Sequence, residues 1–271
     1  MRSGPGVVLR YPAAAAVVAF FLLPVAYLVS LSFKTKDDVL SGHFLPTEPT
    51  LANWPGAFAA APLTGFIVNS TVVALLAGLL TVAIAVPGVY AVTRLGIGRK
   101  WLPQAVLSSY MAPPVVALIP LFFFFKSVGL INSLAGLVLV NGLANLPVAW
   151  WLLTPFLTQV PREIEEAATL DGCGPVRTLV SIVVPVISPG LAATTIIVII
   201  LAYNEFLFAS AFAFSDATRT LTVGISLFQG DRLINLGQMA VASLAGVVPI
   251  YGLALVTQRW LVRGISQGAI K

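Results

Sequence analysis

Long apolar runs alternate with short polar or proline-bearing breaks, and they divide the chain into six stretches, 11–33, 64–92, 102–125, 134–157, 182–213 and 240–261. About 20 helical residues cross the roughly 30 Å hydrocarbon core of a bilayer, and each run meets or exceeds that length. The pattern predicts an all-α polytopic membrane protein with six transmembrane helices in a single transmembrane domain over residues 1–271. The fifth run is long enough to tilt or to begin in a polar layer. Pro24, Pro87, Gly88, Pro113, Pro114, Pro120, Pro147 and Pro249 fall inside the runs. Membrane helices tolerate such breaks where neighbouring groups satisfy the freed carbonyls, so they read either as packing kinks or as points where a path bends.

Composition agrees. Apolar residues make up 58% and charged residues 9%, against about 45–50% and about 25% in soluble domains. Arg2 and Arg10 precede the first run, and Ser30 and Ser32 lie near its end, as in a secretory signal. Its length, Tyr11 to Phe33, exceeds an apolar signal core of about 7–15 residues, so a retained anchor helix is expected. The net charge of +5 lies mainly between the runs, where it reports orientation rather than nucleic-acid binding. One side carries ten cations: Arg2, Arg10, Arg94, Arg99, Lys100, Arg162, Arg177, Arg259, Arg263 and Lys271. The other carries five, Lys34, Lys36, Lys126, Arg219 and Arg232. The richer side is expected to be cytoplasmic, with both termini on it. Cys173 and His43 are each the only residue of their kind, which excludes an intrachain disulfide and a paired-cysteine metal site. With no carboxylate pair inside a run, a membrane-embedded enzyme is not expected either.

Outside, the pattern leaves an irregular but ordered cap from Lys34 to Leu63, a turn from Lys126 to Ser133 and a loop from Phe214 to Met239. Inside, only Thr158 to Ser181 is long. Pro161 there suits a first helical position, Glu163, Glu165 and Glu166 suit the positive end of a helix dipole, and Gly172 suits a C-terminal cap. These signals predict a helix of about ten residues, followed by a second helix restarted by Gly174 and Pro175. Ile164, Ala167, Ala168 and Asp171 share one thin face, which fits either against the chain's own bundle or into a groove of a partner.

Glu166-Ala167-Ala168, three residues, Gly172, nine residues, Ile182, one residue, then Val184-Pro185 resembles the EAA loop of permease subunits of binding-protein-dependent ABC importers. Val184 stands where those permeases usually carry leucine. Tyr203-Asn204-Glu205-Phe206-Leu207-Phe208-Ala209 is similar to a segment of maltose-type sugar permeases, and Gln258 to Gly264 with Gly268 to Lys271 is similar to their C-terminal tail. The likeness is to the shorter, six-helix partner of the two permease subunits.

That resemblance implies a multi-pass subunit of a bacterial or archaeal plasma (inner) membrane. It would translocate a sugar handed over by an extracytoplasmic solute-binding protein, beside a second permease subunit and two ATPase subunits. It implies that Glu166, Ala167, Ala168, Asp171 and Gly172 form the ATPase-coupling element in the loop 158–181. It also implies that Gly264, Gly268 and Lys271 of the tail touch the ATPase; read by composition alone, that tail is a basic end at the membrane surface. The chain has no G-x-x-x-x-G-K-[ST] loop, and Gly96, Gly98, Arg99 and Lys100 lack its ending, so no cofactor is expected on this chain, and ATP and Mg are expected on the partner subunits. Asn69, Ser70, Tyr110, Asn141, Asn145, Trp150, Tyr203, Asn204 and Glu205 are the candidates for a sugar pathway, or for polar packing between helices. Glu205, an acid inside an apolar run, has three readings: a hydrogen-bonded structural group, a pathway residue or a proton relay. The resemblance also implies that Asp216, Arg219, Gln229, Asp231 and Arg232 face the binding protein; read by composition alone, they belong to an ordinary solvated loop. The competing class is an ion-coupled secondary transporter, and within the importer class glycerol-phosphate derivatives are the alternative cargo.

Overall fold

The computed structural model describes residues 5–228 and 235–268, with side chains described over 11–228 and 235–258. The described residues contain helices and no strand. In order they are α1 (Pro5–Ser32), α2 (Lys36–Leu40), α3 (Asn53–Ala60), α4 (Leu63–Thr93), α5 (Leu102–Met111), α6 (Pro114–Ser127), α7 (Leu134–Ala144), α8 (Leu146–Gln159), α9 (Arg162–Leu170) and α10 (Pro175–Thr178). A π-helical turn (Leu179–Val183) then leads to α11 (Val184–Val186), α12 (Ser188–Tyr203), α13 (Leu207–Phe212), α14 (Leu221–Ser226) and α15 (Leu236–Gly268).

Three helical stretches, Tyr11–Ser32, Leu63–Thr93 and Leu236–Gln258, are long and apolar enough to span a bilayer alone. Three bent pairs meet the same test as pairs: α5 with α6 at 103°, α7 with α8 at 47°, and Pro175–Val186 with α12 at 84°. Counting each pair as one span gives six.

The bends have local causes. Pro113 and Pro114 follow Ala112, whose ψ of 126° is extended, because a proline disfavours helical backbone in the residue before it. Pro147 lies in the first turn of α8, where its missing N–H costs no bond. Within the apolar stretch 182–213 the helix also stops after Tyr203 and restarts at Leu207.

The chain divides into two compact units, Met1–Thr64 with Gly224–Val248, and Gly65–Val223 with Pro249–Lys271. In the first, the expected cap is ordered by side chains. Lys34, 1% exposed, donates through Nζ to the His43 carbonyl. Asn53 Nδ2 donates to the Ser32 and Lys34 carbonyls at 3.1 and 2.8 Å. Asp38 accepts from the Thr47 N–H at 2.8 Å and the Thr47 hydroxyl at 2.9 Å. Burial alone raises the Asp38 carboxyl, but Thr47, the Ser41 hydroxyl and the Lys34 charge outweigh it and hold the group below its ordinary 3.8.

In the second unit, Val89 of α4, Leu153 and Leu157 of α8, Val183 of the π turn and Val198 of α12 form one core, all at 0% exposure. A second core joins Val73, Phe125, Leu137, Phe208 and Phe212, with the Phe125 and Phe212 rings 5.3 Å apart. Lipid tails are as apolar as these side chains, so close fit holds the helices together. Gly190 shows how close: a Cβ there would lie 2.4 Å from the Phe156 ring. Thr81 adds a buried polar bridge, donating to the Gly142 carbonyl at 2.8 Å.

Candidate coupling surface and translocation cavity

The loop 158–181 folds as two helical pieces about a turn. Its first helix, α9, starts at Arg162, so Pro161 is the residue before the helix rather than its first. Glu163 and Glu165 lie in the first turn, where the helix dipole favours anions. At the other end Gly172 has φ +81°, its N–H donates to the Thr169 carbonyl at 3.0 Å, and the Cys173 N–H donates to the Ala168 carbonyl at 2.9 Å. This is the paired Schellman closure, which requires the left-handed conformation that glycine adopts without a Cβ penalty.

Ala168 is buried, while Glu166, Ala167 and Asp171 of the expected coupling element are exposed. Ile164 is 40% and Leu170 90% exposed, so α9 presents a mixed acidic and apolar outer face.

What holds the inner face was not legible as a site. Arg94, at the end of α4, is 8% exposed and faces Glu165, 13% exposed, with Nε and Oε1 2.9 Å apart. The pair is ionic by distance, but the Nε–H does not point along the line to the oxygen, so neither atom takes part in a directed hydrogen bond. The other end of the same guanidinium donates to the Leu157 and Val160 carbonyls at the end of α8. One side chain thus ties together α4, α8 and α9. In the sequence Arg94 is one of ten cations on the richer side, and the motif singles out Glu166, one residue away from the glutamate that Arg94 meets. The available signal was three glutamates within four positions, at least one of which had to turn inward.

A cavity of about 720 Å³ opens among α5, α6, α7, α12 and α13. It gathers Tyr110, Asn141, Asn145 and Glu205 of the expected pathway residues. Asn141 is 2% exposed; its Nδ2 donates to the Leu137 carbonyl at 3.0 Å and its Oδ1 has no partner. Asn145 Nδ2 donates to the Asn141 carbonyl at 2.9 Å. Glu205 accepts from the Phe208 and Ala209 N–H groups at 2.7 and 3.0 Å, which makes its carboxylate the cap of α13.

The remaining candidates lie elsewhere. Asn69 gives both amide hydrogens to the Ala217 and Arg219 carbonyls at 3.1 and 2.9 Å, and Ser70 Oγ accepts from the Leu221 N–H at 2.8 Å, so the two staple the loop before α14 to α4. Tyr203 lines a separate, apolar cavity with Thr71 and Pro249, and Asn204 is exposed with its amide on the Ile200 carbonyl. Trp150 packs on Gly88. Asp216 and Arg219 pair with each other at 2.5 Å on the same loop. Asn132, absent from the sequence-based candidates, organises that loop: its Oδ1 accepts from the N–H groups of Phe214 and Ser215 and from the Ser215 and Thr218 hydroxyls, at 2.7–3.1 Å. Gln229, Asp231, Arg232 and Lys271 lie outside the described residues, and Gly264 and Gly268 are described only as backbone of α15.

Broken apolar helices that enclose a partly polar cavity, with an anchored amphipathic helix beside them, define a multi-pass α-helical membrane permease. The family model for the inner membrane component of binding-protein-dependent transport systems matches residues 56–267, and the chain belongs to that family. It is 35% identical over 266 residues to the sulfoquinovosyl glycerol transport system permease protein SmoH of Agrobacterium fabrum, covering 97% of this chain and 93% of the relative. It is 33% identical over 254 residues to the trehalose/maltose transport system permease protein MalG of Thermococcus litoralis, covering 92% and 91%. The fold matches a chain of a bacterial ABC transporter involved in the import of the acidic polysaccharide alginate, with TM-score 0.78, 19% identity and coverage of 96% and 98%. A chain of the MetNI methionine ABC transporter matches with TM-score 0.61, 18% identity and coverage of 74% and 95%.

Proposed function

We propose that this chain is one permease subunit of an ATP-driven importer for a sugar or sugar-glycerol. In this reading it works beside a second permease, two ATPase subunits that bind ATP and Mg, and an external binding protein that delivers the solute. The observation that carries the reading is α9: a short helix stopped by Gly172, fixed from behind by Arg94 and free on its outer face. A helix held rigidly to two others can pass a push from a cytoplasmic partner to the bundle. In this reading Glu166, exposed on that face, pairs with a basic group of the ATPase, and Ala167 permits close approach.

ATP hydrolysis belongs to the partners, since the chain lacks a phosphate-binding glycine loop. Both termini and α9 are cytoplasmic, supported by the ten-to-five excess of cations on that side. The solute passes the cavity of Tyr110, Asn141, Asn145 and Glu205, and the loop carrying Asp216 and Arg219 faces the binding protein. The tail through Gly264, Gly268 and Lys271 is a second ATPase contact. A carbohydrate cargo is favoured by the sugar and sugar-glycerol substrates in the names of the relatives. Against an ion-coupled carrier, the Glu205 carboxylate is committed to two backbone N–H groups, a fixed cap rather than a proton carrier.

The test is purification of the tagged protein from its native cells in mild detergent, followed by reconstitution and measurement of ATP-dependent uptake. Recovery of a second permease and an ATPase is expected, with Glu166→Lys weakening ATPase retention and uptake together. Ion-driven uptake by this chain alone would reject the proposal.

A further inference from the structure

A second cavity, of about 710 Å³, lies between the end of α4, the turn after it, α5, α8 and the first residue of α9. Its walls differ in chemistry. Leu107 of α5 and Pro155 and Trp151 of α8 form an apolar side, and Trp151 is 67% exposed. Arg94, Arg99 and Arg162 form a basic rim. The charge of Arg94 is matched by Glu165. Among the described residues no carboxylate pairs with Arg99 or Arg162, so two positive charges face the opening unmatched.

An occupant must therefore be anionic at one end and apolar at the other. A free anion would leave the apolar side wet, and a purely apolar chain would leave the arginines without a counter-charge. A carboxylate of a partner protein would meet the arginines but has no use for the apolar wall. We propose that this cavity binds an anionic phospholipid, with its phosphate between Arg99 and Arg162 and an acyl chain along Leu107, Pro155 and Trp151. Basic pockets between membrane helices at the polar face suit such headgroups, and an exposed indole suits the interface where they lie. Because Arg162 opens α9 three residues before Glu165, the lipid phosphate holds the first turn of that helix from the membrane side.

The test uses the assembled complex, delipidated and returned to nanodiscs of phosphatidylcholine with a small fraction of phosphatidylglycerol or cardiolipin. Native mass spectrometry reads the lipid retained. Wild type is expected to keep anionic lipid in excess over its share of the bilayer. At about 1 kcal/mol for each cation near the headgroup, Arg99→Gln and Arg162→Gln each lower that enrichment about fivefold, and together about 25-fold. The double Arg→Lys variant keeps the charge and retains most of the enrichment, which separates loss of charge from loss of fold.

Undiminished enrichment in the double Gln variant would overturn the site. Displacement of the lipid by millimolar inorganic phosphate would show a free-anion site and overturn the lipid. Enrichment in the separated permease that disappears when the ATPase subunits bind would make the cavity a protein contact, and would also reject it. None of these outcomes depends on which solute the complex carries, so the site can fail while the importer reading stands.

Discussion

Arg94→Ala removes the one side chain that joins α4, α8 and α9. It takes the only cation from Glu165 among its described partners, leaving the carboxylate, 13% exposed, with the Tyr90 hydroxyl alone, and frees the carbonyls of Leu157 and Val160. Breaking a buried ion pair by deleting one partner costs about 3–5 kcal/mol, chiefly because the remaining charge stays desolvated. The Nε–H of Arg94 misses the line to Glu165, and water can reach a short surface helix once it loosens. We therefore expect the low end, about 3 kcal/mol, which is a factor of about 150 in the local opening equilibrium. Amide hydrogen exchange over α9 in the purified complex reads that opening directly. Glu165→Gln removes the charge but leaves Arg94 on its two carbonyls, so it is expected to cost less. The double variant should be milder than the sum of the two, the mark of a direct pair. On the proposed importer reading, uptake per ATP hydrolysed is expected to fall in Arg94→Ala, because a push on α9 would no longer carry α4 and α8 with it. Wild-type exchange of α9 in Arg94→Ala, or strictly additive single and double variants, would refute the clamp.

Gly172→Ala forces a Cβ into a left-handed residue at about 1–2 kcal/mol, and faster exchange of the Gly172 and Cys173 amides with a smaller effect at Glu163 is the expected pattern. Asp38 ionises below its ordinary 3.8, so its ionised form stabilises the cap above that pH, and the contribution is lost as pH falls through the lowered value. Exchange of the Thr47 amide should therefore stay slow at neutral pH and quicken below about pH 4 once corrected for intrinsic rates, whereas Asp38→Asn should quicken it at neutral pH. Glu205→Ala removes the cap of α13 at about 0.5–2 kcal/mol and should lower thermal stability, while Glu205→Gln keeps one acceptor and should retain ATP-dependent uptake; complete loss of uptake in the Gln variant with stability unchanged would restore the proton-relay reading.

The helical class and the short helix α9 were legible because both are written locally. Twenty-odd apolar residues in a row identify a span wherever they occur, and the glutamates, Gly172 and the Gly174-Pro175 restart lie within a few residues of the backbone groups they serve. Bends were legible only in part. Pro113, Pro114 and Pro147 mark two of them, but hydropathy cannot distinguish one helix from two at 103°. The pairings that assemble the site were beyond local reading. Arg94 meets Val160 across 66 positions, Asn69 meets Arg219 across 150 and Asn132 meets Ser215 across 83. Nothing near Asn69 in the chain separates an amide that staples a loop from one that faces a solute.

The breaks in the helices share a location. Ala112 and Pro114 at the α5–α6 bend, Asn145 at the α7–α8 bend and Glu205 at the α12–α13 break all line the cavity that holds Tyr110 and Asn141. An interrupted backbone exposes N–H and C=O groups that hydrocarbon cannot satisfy, so at membrane depth it persists only where protein or a polar cavity meets them. Two devices here do so from within the chain: the Glu205 carboxylate takes the first N–H groups of α13, and the Asn145 amide takes the Asn141 carbonyl. The breaks are therefore built and closed rather than loose. Rigid half-helices that end at a common cavity can swing about fixed corners without unfolding, and that is the motion a helix pushed at α9 would drive, since α9 is tied through Arg94 to α8, the half-helix that begins beside Asn145. Asn141 Oδ1, buried in the wall of that cavity without a partner, is an acceptor that the swing of the half-helices would have to uncover before a solute hydroxyl could reach it.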